Sequence, residues 1–205
     1  RFEAQLFHPG YLFTKPVKLH LVDDDEVAPV PFDESLFQYD GTAAVLAGET
    51  SPDLGYAGFR IHYPINDSSR MDEVAVFQGA SYFRLVGPNQ VYGLSARGLA
   101  VDIARDSGEE FPDFTEFWLR QPAPEETTLV FYALLDAPSV TGSYRFELKV
   151  VGPSTTLAVD AHLFARQDVA KLGIAPFSSM FLYDANLSDA FDDFRPEVHD
   201  SDGLM

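Results

Sequence analysis

Glu197, His199, Asp200 and Asp202 fall within six consecutive positions of the run FRPEVHDSDGLM. Three carboxylates and an imidazole this close suit proton transfer. Glycoside hydrolysis in particular needs one carboxylic acid to protonate the leaving oxygen and a carboxylate to act as base or nucleophile. Asp200 and Asp202 stand two apart, so an extended backbone turns both to one side. Gly203 follows them and favours a turn, and aspartates at turns readily bond their own backbone. The residues alone leave both readings open: a turn cap, or half of a catalytic site.

Two further segments carry groups suited to sugars. FQGASYFR interrupts an apolar run with Gln78, Gly79, Ala80 and Ser81, then places Tyr82 and Arg84 two apart. GEEFPDFTEFW groups Glu109, Glu110, Glu116 and Trp118, the one tryptophan of the chain. Flat aromatic faces suit the C–H-rich faces of sugar rings, while Arg and Gln supply forked partners for hydroxyls and small residues let backbone approach a ligand. The competing reading of the same segments is sandwich core with charges at its edges.

Other motifs fail on spacing. YGLSARGL sets Ser95 in G-x-S-x-x-G, one residue too long for a nucleophile elbow, and strand patterns flank it on both sides. A turn or bulge that projects Arg97 is the expectation there. DANLSDAFDD begins like a calcium loop with Asp184, Asn186 and Ser188, but Asp189 stands where glycine is needed and Arg195 where glutamate is needed. His8, His20, His62, His162 and His199 are scattered, and none has H-x-x-x-H spacing for zinc. No glycine-rich phosphate loop is present. Neither a cofactor nor a metal is called for.

The elements that must position these groups are strands. In GSYRFELKV, Tyr144, Phe146, Leu148 and Val150 alternate with Ser143, Arg145, Glu147 and Lys149. TLAVDAHLFA repeats the pattern with Leu157, Val159, Ala161 and Leu163, and Gly152-Pro153 between the two predicts a hairpin. FEAQLFH, VKLHLV, GFRIHY, EVAVFQ, SYFRLV, LAVDIA, EFWLR and LVFYALL read as further strands, separated by turn-forming runs. Many short strands at even spacing predict an all-β sandwich or barrel. DDDEVAPVPFDESLF and the stretch to SPDLG break the rhythm and read as a long loop with one helical turn.

Composition narrows the partners. The 205 residues carry a net charge of −18, which disfavours phosphate backbones and anionic membrane surfaces. There is no cysteine, so disulfides and thiolate metal sites are excluded. No apolar run approaches the roughly 18 residues of a membrane-spanning helix. Residue 1 is Arg, so the lack of a leader says nothing about targeting.

In order along the chain, GFRIHYPIN, DEVAVFQGASYFR, VYGLSARGLAVD, SGEEFPDFTEFW, YALLDAPSVTGSYRFEL, KLGIAPFSSMFLY and FRPEVHDSDGL resemble the osmoregulated periplasmic glucan biosynthesis proteins of the G/D type (the MdoG/OpgG family) from Gly58 to Leu204. The first 57 residues are similar only in strand-and-loop character. The resemblance implies a periplasmic protein of Gram-negative bacteria. It implies a large, mainly antiparallel β-sandwich of the galactose-mutarotase-like (supersandwich) kind, of which residues 1–205 form an incomplete part, with an immunoglobulin-like domain beyond this chain. It further implies a role in making the β-1,2-linked glucose backbone of periplasmic glucans, as a glycoside hydrolase or transglycosylase. The alternative is a non-catalytic module that presents nascent glucan to other enzymes. The expected partners are β-1,2-glucan and other glucan-synthesis proteins at the inner membrane, with neither nucleic acid nor membrane insertion.

The family's H-D-S-x-G-L motif falls on His199, Asp200, Ser201, Gly203 and Leu204. The resemblance makes Asp200 the candidate catalytic base and places the matching acid beyond Met205. It suggests Tyr82, Arg84, Arg97, Glu110, Trp118 and His199 as sugar contacts.

Overall fold

The computed structural model describes residues 2–10, 13–24, 26–90, 95–178, 181–183 and 198–199. Asp200, Asp202 and the calcium-like run from Asp184 lie outside them. The strands are β1 (Glu3–Leu6), β2 (Lys18–Asp23), β3 (Glu26–Pro29), β4 (Gly58–Tyr63), β5 (Asp72–Gln78), β6 (Tyr82–Leu85), β7 (Ser95–Arg97) and β8 (Leu99–Val101). They continue with β9 (Asp113–Arg120), β10 (Thr128–Asp136), β11 (Val140–Val151), β12 (Ser154–Ala165), β13 (Leu172–Ile174), β14 (Phe177–Ser178), β15 (Phe181–Tyr183) and β16 (Val198–His199). Among the described residues the only helical pieces are 3-10 turns at Glu34–Leu36, Gly41–Leu46 and Pro52–Leu54, so the loop holds three short turns where one was expected. The fold is all-β. Among the described residues no helix is long and apolar enough to cross a membrane.

Two six-stranded sheets face each other. The first has the order β1-β4-β5-β6-β7-β14, the second β12-β11-β10-β9-β2-β3. Alternation decides which side of each strand turns inward. On the first sheet, register aligns Leu6, Phe59, Phe77, Phe83 and Ala96 across five strands. On the second, Phe131 lies opposite Phe146. Phe77 meets both across the interface, at ring-centroid distances of 5.0 and 5.1 Å. Each buried phenylalanine contributes about 1.5–3 kcal/mol over leaving it in water, so this aromatic cluster is the main cohesive element.

The hairpin of β11 and β12 forms as the alternation predicts, turning at Gly152 with φ +54°. Tyr144, Phe146, Leu148 and Val150 are buried in the core. Two elements depart from the sequence pattern. The strand read in LAVDIA stops at Val101, because Asp102 and Ala104 take left-handed backbone at φ 56° and 55°. The Asp102 carboxylate accepts from the Lys171 N–H at 2.9 Å and fixes that turn. Every described strand pair is antiparallel except β2 with β9, which run parallel and place Leu19 opposite Phe117 and His20 opposite Trp118.

Candidate functional site

FQGASYFR and GEEFPDFTEFW, chosen above for their chemistry, converge on one cavity of about 380 Å³. Phe77, Gln78, Gly79, Ala80 and Tyr82 come from the first segment. Phe111, Asp113, Phe114, Thr115 and Phe117 come from the second. The turn between β5 and β6 holds them together. The Ala80 carbonyl accepts from the Phe114 N–H at 3.1 Å, and the Ser81 carbonyl accepts from the Gly98 N–H at 2.8 Å. A third wall, Phe13–Val17, comes from the stretch before β2. Gly58 lines the cavity because its backbone approaches β5 so closely, at φ +135°, that a Cβ would sit 2.2 Å from the Phe77 carbonyl oxygen.

Arg97 stands beside this cavity as a preset cation. It pairs with Tyr82 across β6 and β7, so the two side chains share the outer face of the first sheet. Its guanidinium lies 5.4 Å from the Tyr82 ring centroid and 5.3 Å from that of Phe111. Nη1 donates to Glu109. The side chain is only 8% exposed, yet the buried Nε has no hydrogen-bond partner. A buried donor without a partner is costly, so this guanidinium is held in place at the expense of one hydrogen bond. At the cavity mouth Lys15 bonds the Asp113 carboxylate at 2.6 Å.

The other expected contacts lie elsewhere. Arg84 is on the outer face of the first sheet, two residues from Tyr82, and donates to Glu73 at 2.9 Å; Glu73 also takes Arg60 at 3.3 Å. Glu110 is occupied with the β10–β11 turn, accepting from the Ser139 N–H at 3.1 Å and from its hydroxyl at 2.7 Å. Trp118 is on the outer face of the second sheet, because Phe117 beside it points into the core and meets Phe59 at 5.0 Å. His199 lies opposite Phe181 in the β15–β16 pair. Ser95 sits within strand β7, opposite Arg84, and the turn falls at Gly98. Among the described residues no three potential metal ligands gather.

The segment toward Asp200 starts from this neighbourhood. β14 pairs with β7, setting Phe177 opposite Ala96, and the Arg97 N–H donates to the Pro176 carbonyl at 3.1 Å. The arrangement can bind a polyhydroxyl ligand through two ring faces, a forked cation and compensated acids. Glu109 and Asp113 are each engaged by a cation, Arg97 and Lys15.

A family model described as "Periplasmic glucan biosynthesis protein, MdoG" matches residues 1–205. The chain is 49% identical over 204 residues to the Glucans biosynthesis protein G of Pseudomonas paraeruginosa, covering 100% of this chain and 38% of that protein. It is 51% identical over 203 residues to the protein of the same name from Ralstonia nicotianae, covering 99% and 40%. For the Vibrio cholerae protein of that name the identity is 45% over 206 residues, covering 100% and 37%. The chain thus spans about two fifths of the length of these curated relatives.

Proposed function

Since the chain belongs to the periplasmic glucan biosynthesis proteins, MdoG, we propose that it acts in the periplasm on β-1,2-linked glucan, as a hydrolase or transglycosylase. The observation that carries this reading is the ordered Arg97 guanidinium held against the Tyr82 and Phe111 rings, both of which line a 380 Å³ cavity. Two aromatic faces and an ordered guanidinium are what a glucose chain needs for stacking and hydroxyl recognition. Asp200 takes a proton from the attacking water, directly or along a water chain. Water oxygen then bonds the anomeric carbon as the glycosidic C–O bond breaks. A second carboxylic acid protonates the departing oxygen. In transglycosylation a sugar hydroxyl replaces the water.

One observation favours a second reading. Both carboxylates near the cavity are tied to cations, which suits a module that binds nascent glucan without cleaving it. The two readings part at Asp200. A polypeptide of the relatives' full length carrying this chain is incubated with linear β-1,2-glucan, and new reducing ends are counted for wild type and Asp200→Asn. Turnover that collapses in the variant while binding persists supports the hydrolase. Binding by both proteins without turnover leaves the presenting module, and a transglycosylase shows as altered chain lengths without new reducing ends.

A further inference from the structure

We propose that the outer face of the second sheet is a separate platform for a neutral glucan chain, built on Trp118 and Tyr132. The proposal rests on the glucan reading above and adds a second place on the molecule where the chain is held. Strand register lines up His20, Trp118, Tyr132, Arg145 and Asp160 across β2, β9, β10, β11 and β12. Neighbouring strands lie about 4.8 Å apart, so this row runs about 20 Å across the sheet. Its two aromatic rings are direct cross-strand neighbours. Tyr132 is 42% exposed.

The row is held in place before any ligand arrives. The Trp118 ring lies nearly parallel to His20, 11° apart at 5.2 Å. Glu116 fixes that imidazole at 3.1 Å and takes Lys18 at 3.2 Å. On the far side of Tyr132, Arg145 is anchored by Glu147 at 2.5 Å and Asp160 at 3.3 Å. The rings therefore sit between two ordered sets of donors and acceptors, which suits orientation of hydroxyls at little entropic cost.

Charge identifies the occupant. The whole chain carries −18, yet on this face Glu116 meets Lys18 and His20, and Glu147 and Asp160 share Arg145, so the row is close to neutral. A strongly charged partner finds little net charge to complement here. A neutral polyhydroxyl chain needs none: it stacks on the rings and bonds polar groups that are already held in ion pairs. The platform is also apart from the cavity, since Phe117 lines the cavity and Trp118 points the opposite way.

Trp118 is the sole tryptophan, so tryptophan emission reports on this face alone. The chain is titrated with linear β-1,2-glucan while Trp118 emission and its quenching by acrylamide are recorded, with calorimetry as an independent measure of binding. The expected result is a saturable emission change with protection from acrylamide. Tyr132→Ala, an exposed-face change that keeps the native circular dichroism spectrum, weakens that signal's Kd by about tenfold. Calorimetric binding with unchanged Trp118 emission, or an emission-reported Kd indifferent to Tyr132→Ala, overturns the platform and leaves the glucan reading standing. No calorimetric binding by wild type removes both.

Discussion

Arg97→Met and Glu109→Gln, made singly and together, test whether the cation beside the cavity and its acid form one unit. The Arg97 side chain is 8% exposed and that of Glu109 20%, so water screens the pair little. Removing one partner of a buried pair costs about 3–5 kcal/mol, and the partial exposure of Glu109 puts Arg97→Met near the lower end, about 3 kcal/mol. Methionine largely makes up for the guanidinium's attraction to the two rings, because its sulfur also packs favourably on aromatic rings, by about 0.3–1.5 kcal/mol. Glu109→Gln keeps an acceptor for Arg97 but leaves its charge uncompensated between two rings, which costs about 2 kcal/mol. With both changes no buried charge is stranded, so the double variant loses about 2–3 kcal/mol rather than about 5, a coupling of about −2 to −3 kcal/mol. Urea unfolding followed by far-ultraviolet circular dichroism measures all four corners, with equal m-values required for the comparison. Additive losses, or single losses under about 1 kcal/mol as for an exposed ion pair, would refute the view that Arg97 is a preset buried cation. Calorimetry on the folded variants should show β-1,2-glucan affinity falling about tenfold with Arg97→Met.

Two further substitutions test the frame around the site. The Tyr144 hydroxyl donates to the Gly98 carbonyl at 3.0 Å, next to Arg97, and burial pushes its phenol up to about 12. The folded state therefore keeps that proton after the unfolded chain has lost it, so its stabilising effect is full below about pH 10 and is lost as pH rises from 10 through 12, by roughly 2.7 kcal/mol for two pH units. Tyr144→Phe loses about 1 kcal/mol at pH 8 but lacks this alkaline decline. Its stability curve should cross that of wild type between pH 10 and 12, and a constant gap over that range counts against the buried phenol. Gly58→Ala drives a Cβ to 2.2 Å from the Phe77 carbonyl oxygen, backbone that cannot swing aside, whereas Gly152→Ala meets nothing within 4 Å. Thermal melts should show Gly58→Ala losing about 3 kcal/mol or more, a Tm drop of roughly 6–12 °C, and Gly152→Ala about 1 kcal/mol; equal drops would contradict the close approach of β4 and β5.

Much of the fold is legible locally because a strand announces itself with a period of two. Tyr144, Phe146, Leu148 and Val150 are buried as their alternation requires. Where the outcome depends on distant chain, the pattern is silent. Val159 shares the core-side parity of Phe146, its partner in β11, yet is 40% exposed while Phe146 is fully buried. Alternation gives parity, but burial of an edge strand depends on how far the opposite sheet extends. The parallel meeting of β2 with β9 has no local signature either, since it joins residues about a hundred positions apart.

The site shows the same division at finer scale. Residue types singled out FQGASYFR and GEEFPDFTEFW, and the fold brings both to one cavity, but a segment is not a face. Glu109 reaches Arg97 while its neighbour Glu110 clamps Ser139. Phe117 lines the cavity while its neighbour Trp118 stacks on His20. One residue separates each pair; for Phe117 and Trp118 the division follows from strand register, which also shifts at Leu134/Leu135 between β9 and β10, and for Glu109 and Glu110 from the isolated bridge of Glu110 with Val101. Phe13 and Lys15 gave no signal at all: an exposed lysine in a loop is ordinary until β2 docks beside β9 and brings it 2.6 Å from Asp113. Sequence thus supplies the inventory of rings and charges, and long-range pairing divides it between a cavity on one side of the core and an aromatic row on the other. Under the proposed glucan reading that division matters, because a polymer held at two separated places can be positioned at one while it is released from the other.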